Sequence, residues 1–270
     1  MGKAKQFAMR VIPGGVADHI RRVHVVASRA RDKSMRRLLP ASAIRRIDTK
    51  RIRRSWLERS STQGQDFTQL YWSDTDNPNR NALIELAIEV LESIPQVSVL
   101  EYGSHVGVNL HMLHTRLGDA SVQYFAVEPN VEAFNFMTEN LPYVAGLNAD
   151  DVGFVGARDY PCGPQSRITL SIVNAVFTHM EPQRARNVLE KLARTSQIII
   201  LGEGLGCARE SHSTFSSEPF FYLHPYISWL QEFGFGEFRQ LPKPRPADGE
   251  DSGYLVARVL RSSEVDAFSL

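Results

Sequence analysis

Apolar and polar positions follow two rhythms along residues 80–260, and their alternation predicts strands and helices in turn. Val97, Val99, Leu100 and Tyr102 form one apolar run, and Tyr124 to Val127 form a second, with a glycine turn and then a helical stretch between them. Leu83, Leu86, Ala87, Val90 and Leu91 recur at helical spacing and predict a helix beginning near Asn81. Pro182, suited to a first helical turn, then opens a helix to about Arg194 that carries Ala185, Val188, Leu189 and Leu192. The near-continuous apolar run at 197–203 is that of a strand buried on both faces of a parallel sheet. A helix over 225–233 ending at Gly234, and strands over 235–241 and 254–260, complete the pattern. The order predicts an α/β fold with a mostly parallel sheet.

The first strand-helix-strand unit carries chemistry. Residues 97–110 read V-S-V-L-E-Y-G-S-H-V-G-V-N-L, and the second strand ends in Glu128. Gly103 and Gly107 can take positive φ or let backbone approach a ligand, and Glu128 can accept hydrogen bonds from both hydroxyls of a ribose. The unit points to a nucleoside cofactor at the strand ends. A dinucleotide fingerprint needs G-x-G-x-x-G, but His105 and Val108 occupy its second and third glycine positions, which disfavours a nicotinamide oxidoreductase.

Glu101, Gly103, Gly107, Asn109 and Leu110 resemble motif I of the class I S-adenosylmethionine-dependent methyltransferases, with His105 where that family usually has its middle glycine. Residues 150–159 look like the family's third strand and adenine-side loop. Residues 168–180 resemble its fourth strand and the following V-L-x-H-I stretch, with Thr169 where an acid often opens the strand. The resemblance covers roughly residues 72–262. It implies a Rossmann-like methyltransferase fold: a mostly parallel seven-stranded sheet with a C-terminal antiparallel hairpin. It also implies S-adenosyl-L-methionine as cofactor, held by Glu101, Gly103, Ser104, His105, Gly107, Asn109, Glu128, Pro129, Ala157, Arg158 and Asn174.

The approach segment 66–81, with Tyr71, Trp72 and N-P-N-R, resembles that of methylases associated with bacterial surface-sugar biosynthesis, where such residues lie over the cofactor. Arg80 is expected to meet a carboxylate, the cofactor's or that of Glu101. Tyr71 and Trp72 are acceptor-side candidates, and Trp72 reads equally well as the aromatic anchor of a capped loop. The implied reaction is O-methylation of a sugar, glycan or small metabolite by in-line transfer with water excluded. His179, at the end of the fourth strand, is the leading general-base candidate, with a structural role at a strand-to-helix turn as the alternative. Glu203 is a second candidate, and His212, Tyr222 and His224 fall in the expected acceptor lid. No carboxylate cluster argues for a divalent metal, so the expected reaction is metal-independent. Two other readings stay open: a methyltransferase-like binding or scaffold protein without turnover, suggested by His105, and an RNA methyltransferase.

Charge supplies the reason for the second. Residues 1–60 hold 17 Lys and Arg against 4 Asp and Glu, a balance of +13, while the remainder holds 14 against 26, or −12. The division expected is a basic N-terminal helical arm over 1–65 and a methyltransferase domain over 66–270, with the arm suited to an anionic membrane surface or a phosphorylated carrier. The domain itself shows no Asn-Pro-Pro-Tyr after the fourth strand, so nucleic acid is not the expected partner. Cys162 and Cys207 have no metal-ligand spacing and form no disulfide framework, consistent with a reducing compartment. No apolar run approaches the ~18–20 residues of a membrane span. The expected location is cytoplasmic, with peripheral membrane contact through the arm.

Overall fold

A computed structural model of the chain describes residues 71–92, 94, 96–118, 121–147, 168–205, 214–215, 222–244 and 252–259, all within one compact unit, Thr49–Leu270. The basic arm, residues 148–167 with Ala157, Arg158 and Cys162, and also Cys207 and His212, lie outside the described residues.

The first helix, α1 (Pro78–Leu91), starts three residues before the expected Asn81. Asn77 explains the shift: its side chain accepts the N–H groups of Asn79 (3.0 Å) and Arg80 (3.4 Å), and Pro78 fills the first helical position, where no N–H is needed. Then follow β1 (Ser98–Tyr102), α2 (Val108–Leu117), β2 (Gln123–Val127), α3 (Val131–Asn140) and β3 (Val144–Leu147). After these come β4 (Ile168–Asn174), a 3-10 turn (Phe177–His179), α4 (Pro182–Thr195) and β5 (Ser196–Gly204). The last elements are β6 (Thr214–Phe215), β7 (Tyr222–Leu223), α5 (Tyr226–Glu232), β8 (Phe235–Pro242) and β9 (Ser252–Val259).

The third strand corrects the reading of residues 150–159, since β3 lies at 144–147 and pairs with β2 from Tyr124↔Val144 to Val127↔Leu147. Its four residues include a glycine and alternate little, so the sequence signal there is weak.

The seven-stranded sheet runs β3-β2-β1-β4-β5-β9-β8, with β1 to β5 parallel and β9 antiparallel to both neighbours. Alternate residues of each strand serve opposite faces. Val99, Ile198 and Ile200 join α1, α2 and α3 in one core, while Leu100, Ile199 and Leu201 join α4 and α5 in the other. Both faces are therefore covered, as the long apolar run of β5 requires. Thr169, which stands where an acid often opens the fourth strand, ties β4 to β1. Its hydroxyl accepts the Ser98 N–H at 3.1 Å and donates to the Gln96 carbonyl at 3.2 Å.

Strand order reverses between β1 and β4. In an open α/β sheet this switch point, outside the carboxyl ends of the parallel strands, is where a ligand fits.

Candidate cofactor and acceptor site

Tyr102, Val127, Asn174 and Gly204 end β1, β2, β4 and β5 on one edge, so the loops after them converge there. The loop after β1 is held in a glycine-like path. Gly103 and Gly107 have φ of 79° and 76°. A Cβ at Gly103 would lie 2.4 Å from Val176 Cγ2, and one at Gly107 would lie 2.7 Å from both Leu141 Cδ1 and Met137 Cγ. His105 lies in the same left-handed region, with φ of 51°. The backbone therefore keeps, with a side chain present, the conformation that a glycine takes without cost. The Tyr71 ring lies against the His105 ring at 4.7 Å between centroids.

Backbone contacts fasten this loop to β2. Gly103 N–H and Ser104 N–H donate to the Val127 carbonyl at 2.7 and 3.2 Å. Glu128, expected to face a ribose, accepts the His105 N–H on one oxygen and the Asn130 N–H on the other, both at 2.7 Å. Each oxygen keeps a second lone pair for a hydroxyl donor. Burial pushes its pKa up to about 7, against the pull of the two amides. Pro129 joins Glu128 to Asn130, whose side chain caps α3.

A second network lies beside the loop. Asn109, in the first turn of α2, donates to Glu101 Oε1 at 2.5 Å and accepts from Arg80 Nη1 at 3.0 Å. The carboxylate that Arg80 meets is that of Asp74, at 3.2 Å from Nη2. It joins Glu101 through Asn109, so of the two carboxylates expected for Arg80 the direct pair with Glu101 is not formed. Asp74 in turn accepts from Asn77 at 3.1 Å. Glu101 is 2% exposed. Its Oε2 and the Nε of Arg80 are buried with no hydrogen-bond partner among the described residues. Burial pushes the Glu101 carboxyl up to about 7, opposed by Asn109 and Arg80. An acid oxygen and a guanidinium N–H, both desolvated and unpaired beside a glycine loop, form a complementary pair for a small zwitterion.

The aromatic approach residues hold the segment in place. Trp72 stacks on His111 of α2 at 4.8 Å and meets Phe136 of α3 edge-on at 5.7 Å. His111 Nδ1 lies 3.0 Å from the Tyr143 hydroxyl. Trp72 thus sits as an anchor against the core; of the two readings the sequence left open, the structure favours the anchor.

On the acceptor side, Asn174 lies over Gly202, where a Cβ would meet its Oδ1 at 2.4 Å. His179 ends the 3-10 turn that follows β4. Glu203 is 1% exposed and accepts three backbone amides: Val176 at 2.8 Å and Phe177 at 3.0 Å on Oε1, and Thr178 at 3.0 Å on Oε2. Burial pushes it up to about 7, against these amides and the nearby Lys243. Lys243 donates to the Gly202 carbonyl at 3.0 Å. With Oε1 accepting two amides and Oε2 one, Glu203 clamps the loop in this conformation.

The lid reading of Tyr222 and His224 is also revised. His224 is fully buried, and its Nε2 lies 2.9 Å from the Phe177 carbonyl. Burial pulls its pKa down to about 4, against its hydrogen bonds to the Phe177 and Met180 backbone, so the ring is neutral at pH 7. Tyr222 lies parallel to it and is 7% exposed. Among the described residues no group of three His, Cys, Asp or Glu side chains could hold a metal ion, and no helix is long and apolar enough to cross a membrane.

No family model matches the sequence, and no curated protein matches it. Solved structures do match in three dimensions. The magnesium protoporphyrin IX methyltransferase ChlM from Synechocystis PCC 6803, solved with bound SAM, superposes with a TM-score of 0.53 at 14% identity, covering 79% of this chain and 97% of that one. The CurJ carbon methyltransferase superposes with a TM-score of 0.54 at 14% identity, covering 86% of this chain and 71% of that one. The chain has the class I methyltransferase fold. Within that fold, the loop over residues 103–107, Glu128 and the Glu101–Asn109–Arg80 network share the edge where the strand order reverses. The clamp on residues 176–178 was not signalled in the sequence, whereas Asp74 falls in the polar run before N-P-N-R and Asn77 is the first residue of that motif.

Proposed function

We propose that this chain is an S-adenosylmethionine-dependent methyltransferase that methylates a hydroxyl of a sugar, glycan or other small metabolite. One observation carries the cofactor assignment: Glu101 Oε2 and Arg80 Nε are both buried and unpartnered among the described residues, on two side chains that Asn109 joins in the first turn after the glycine loop. The amino-acid tail of the cofactor brings an ammonium for the first and a carboxylate for the second. Glu128 accepts the ribose hydroxyls on its remaining lone pairs. A nicotinamide dinucleotide has no such zwitterion.

The sulfonium supplies a methyl group already activated for transfer. What the protein adds is orientation, exclusion of water, and acceptance of a proton from the hydroxyl. His179 is the proposed base, supported by its position at the end of the 3-10 turn that follows β4 and by the ordinary pKa range of histidine. The charge split between residues 1–60 and the remainder supports an acceptor delivered on an anionic surface or a phosphorylated carrier, met by the basic arm.

Calorimetric titration of the purified protein with S-adenosylmethionine, S-adenosylhomocysteine and NADH tests the reading. Binding of the two sulfur nucleosides, and not of NADH, is expected. A cooperatively folded sample that binds none of them overturns it in favour of a scaffold. His179→Ala should lower turnover far more than cofactor affinity, and an unaltered rate returns His179 to a structural role.

A further inference from the structure

The loop after β4 is held from several directions at once. Ala175, a residue with a side chain, sits at φ of 56°, and its N–H donates to the Gly202 carbonyl at 3.0 Å. The next three amides, of Val176, Phe177 and Thr178, all point at the Glu203 carboxylate. From the other side the buried His224 ring holds the Phe177 carbonyl. A left-handed alanine persists only where its surroundings over-determine it, and these contacts are what determine it.

The same loop touches both halves of the site. Its first clamped residue, Val176, packs onto Gly103 so closely that a Cβ there would lie 2.4 Å from Val176 Cγ2. Its last turn carries His179. His224 lies between β7 and α5 and so connects the loop to the acceptor-side segment. The contacts run without a break from His224 and Glu203, through residues 176–178, to the cofactor loop.

We propose that Glu203 and His224 are positioning residues, which fix the β4 loop in one conformation and thereby set the seat of His179 and the path of the Gly103 loop together. This rests on the methyltransferase reading for what binds at Gly103, though the mechanical linkage does not. Glu203 acts through Val176 and Thr178 and His224 through Phe177, so neither need touch a substrate.

The test compares the wild type with Glu203→Gln and Val176→Ala. Three quantities are read: amide hydrogen exchange along the loops, the His179 ring titration by NMR, and S-adenosylhomocysteine affinity by calorimetry. Glutamine keeps one acceptor oxygen but sets an NH2 group against a backbone N–H. Exchange at residues 176–178 and at Gly103 and Ser104 should therefore quicken by about tenfold or more, beyond any change in the central strands, because the opening is local. The His179 midpoint should move, and the nucleoside should bind several-fold more weakly. Val176→Ala spares the carboxylate and its three amides, which keeps the question open if Glu203→Gln does not fold. It should quicken exchange at Gly103 and Ser104 and weaken binding, with Phe177 and Thr178 unchanged. Uniform loss of protection, with the His179 midpoint and affinity unmoved, overturns the proposal. If the wild type binds no nucleoside, the methyltransferase reading falls, while the exchange and His179 measurements still decide the linkage.

Discussion

Replacing Glu101 with glutamine should weaken cofactor binding and strengthen the fold, and the two effects should have different pH dependence. In the folded protein burial raises the Glu101 carboxyl from its ordinary value of 4.5 to about 7. That difference corresponds to about 3 kcal/mol against the ionised form. The sign follows from proton counting. Below pH 4.5 the folded and unfolded chains both carry the proton, and burial costs nothing extra. Between 4.5 and 7 the unfolded chain loses its proton first, so the stability held at low pH is progressively lost, and above 7 the full cost remains. Glutamine is never ionised. Glu101→Gln should therefore match the wild type near pH 4.5 and exceed it by up to about 3 kcal/mol near pH 8, read from urea unfolding followed by circular dichroism. The same change puts an NH2 group where Oε2 awaits an ammonium. Losing a hydrogen bond to a charged group costs about 1.5–3 kcal/mol, so S-adenosylhomocysteine should bind roughly 10- to 100-fold more weakly. A variant less stable than the wild type at pH 8, or one with unchanged affinity, would refute this account of Glu101.

Three further outcomes follow from the same geometry. Because the ammonium favours ionised Glu101, nucleoside binding near pH 6.5 should release protons. Titrations in phosphate and Tris should then give different enthalpies, converging by about pH 8; equal enthalpies at pH 6.5 would argue against the contact. Arg80→Lys keeps the charge but loses the fork that serves Asn109 and Asp74 at once. It should weaken S-adenosylhomocysteine binding about tenfold, the effect of losing one charge-assisted hydrogen bond, and calorimetry with intact binding would discount Arg80. Gly103→Ala combines a left-handed backbone, at about 1–2 kcal/mol, with overpacking against Val176, at about 1–3 kcal/mol. Its thermal midpoint should fall by several degrees, and an unchanged Tm would mean that Val176 moves aside freely.

Local pattern carried most of what could be read in advance. Strands β1, β2, β4 and β5 and helix α4 were visible because their apolar positions repeat with the period of the element that buries them. The spacing of Glu101, Gly103, Gly107 and Asn109 was visible because these residues work within one turn of chain. β3 was misplaced, since Val144-Ala145-Gly146-Leu147 is too short and too weakly patterned to compete with the valines farther on. The role of Glu203 could not be read, because its partners lie 25–27 residues earlier and are backbone amides, which every residue but proline possesses. Likewise, nothing in the composition marks His224 as buried or Ala175 as left-handed. Both follow from how β4, β5 and α5 come together.

The strand order also bears on how the chain is made. β9, the last of the described strands in sequence, is not at the rim but between β5 and β8, pairing with Ile198 to Gly204 on one side and with Phe235 to Pro242 on the other. As the chain leaves the ribosome, β5 therefore emerges with one backbone edge open and β8 follows with no neighbour to join. Both wait for residues 252–259 before their hydrogen bonds can close. A nascent chain stalled before Ser252 would present β5, with its run from Ile198 to Leu201, as a bare edge, the form in which strands recruit one another between molecules.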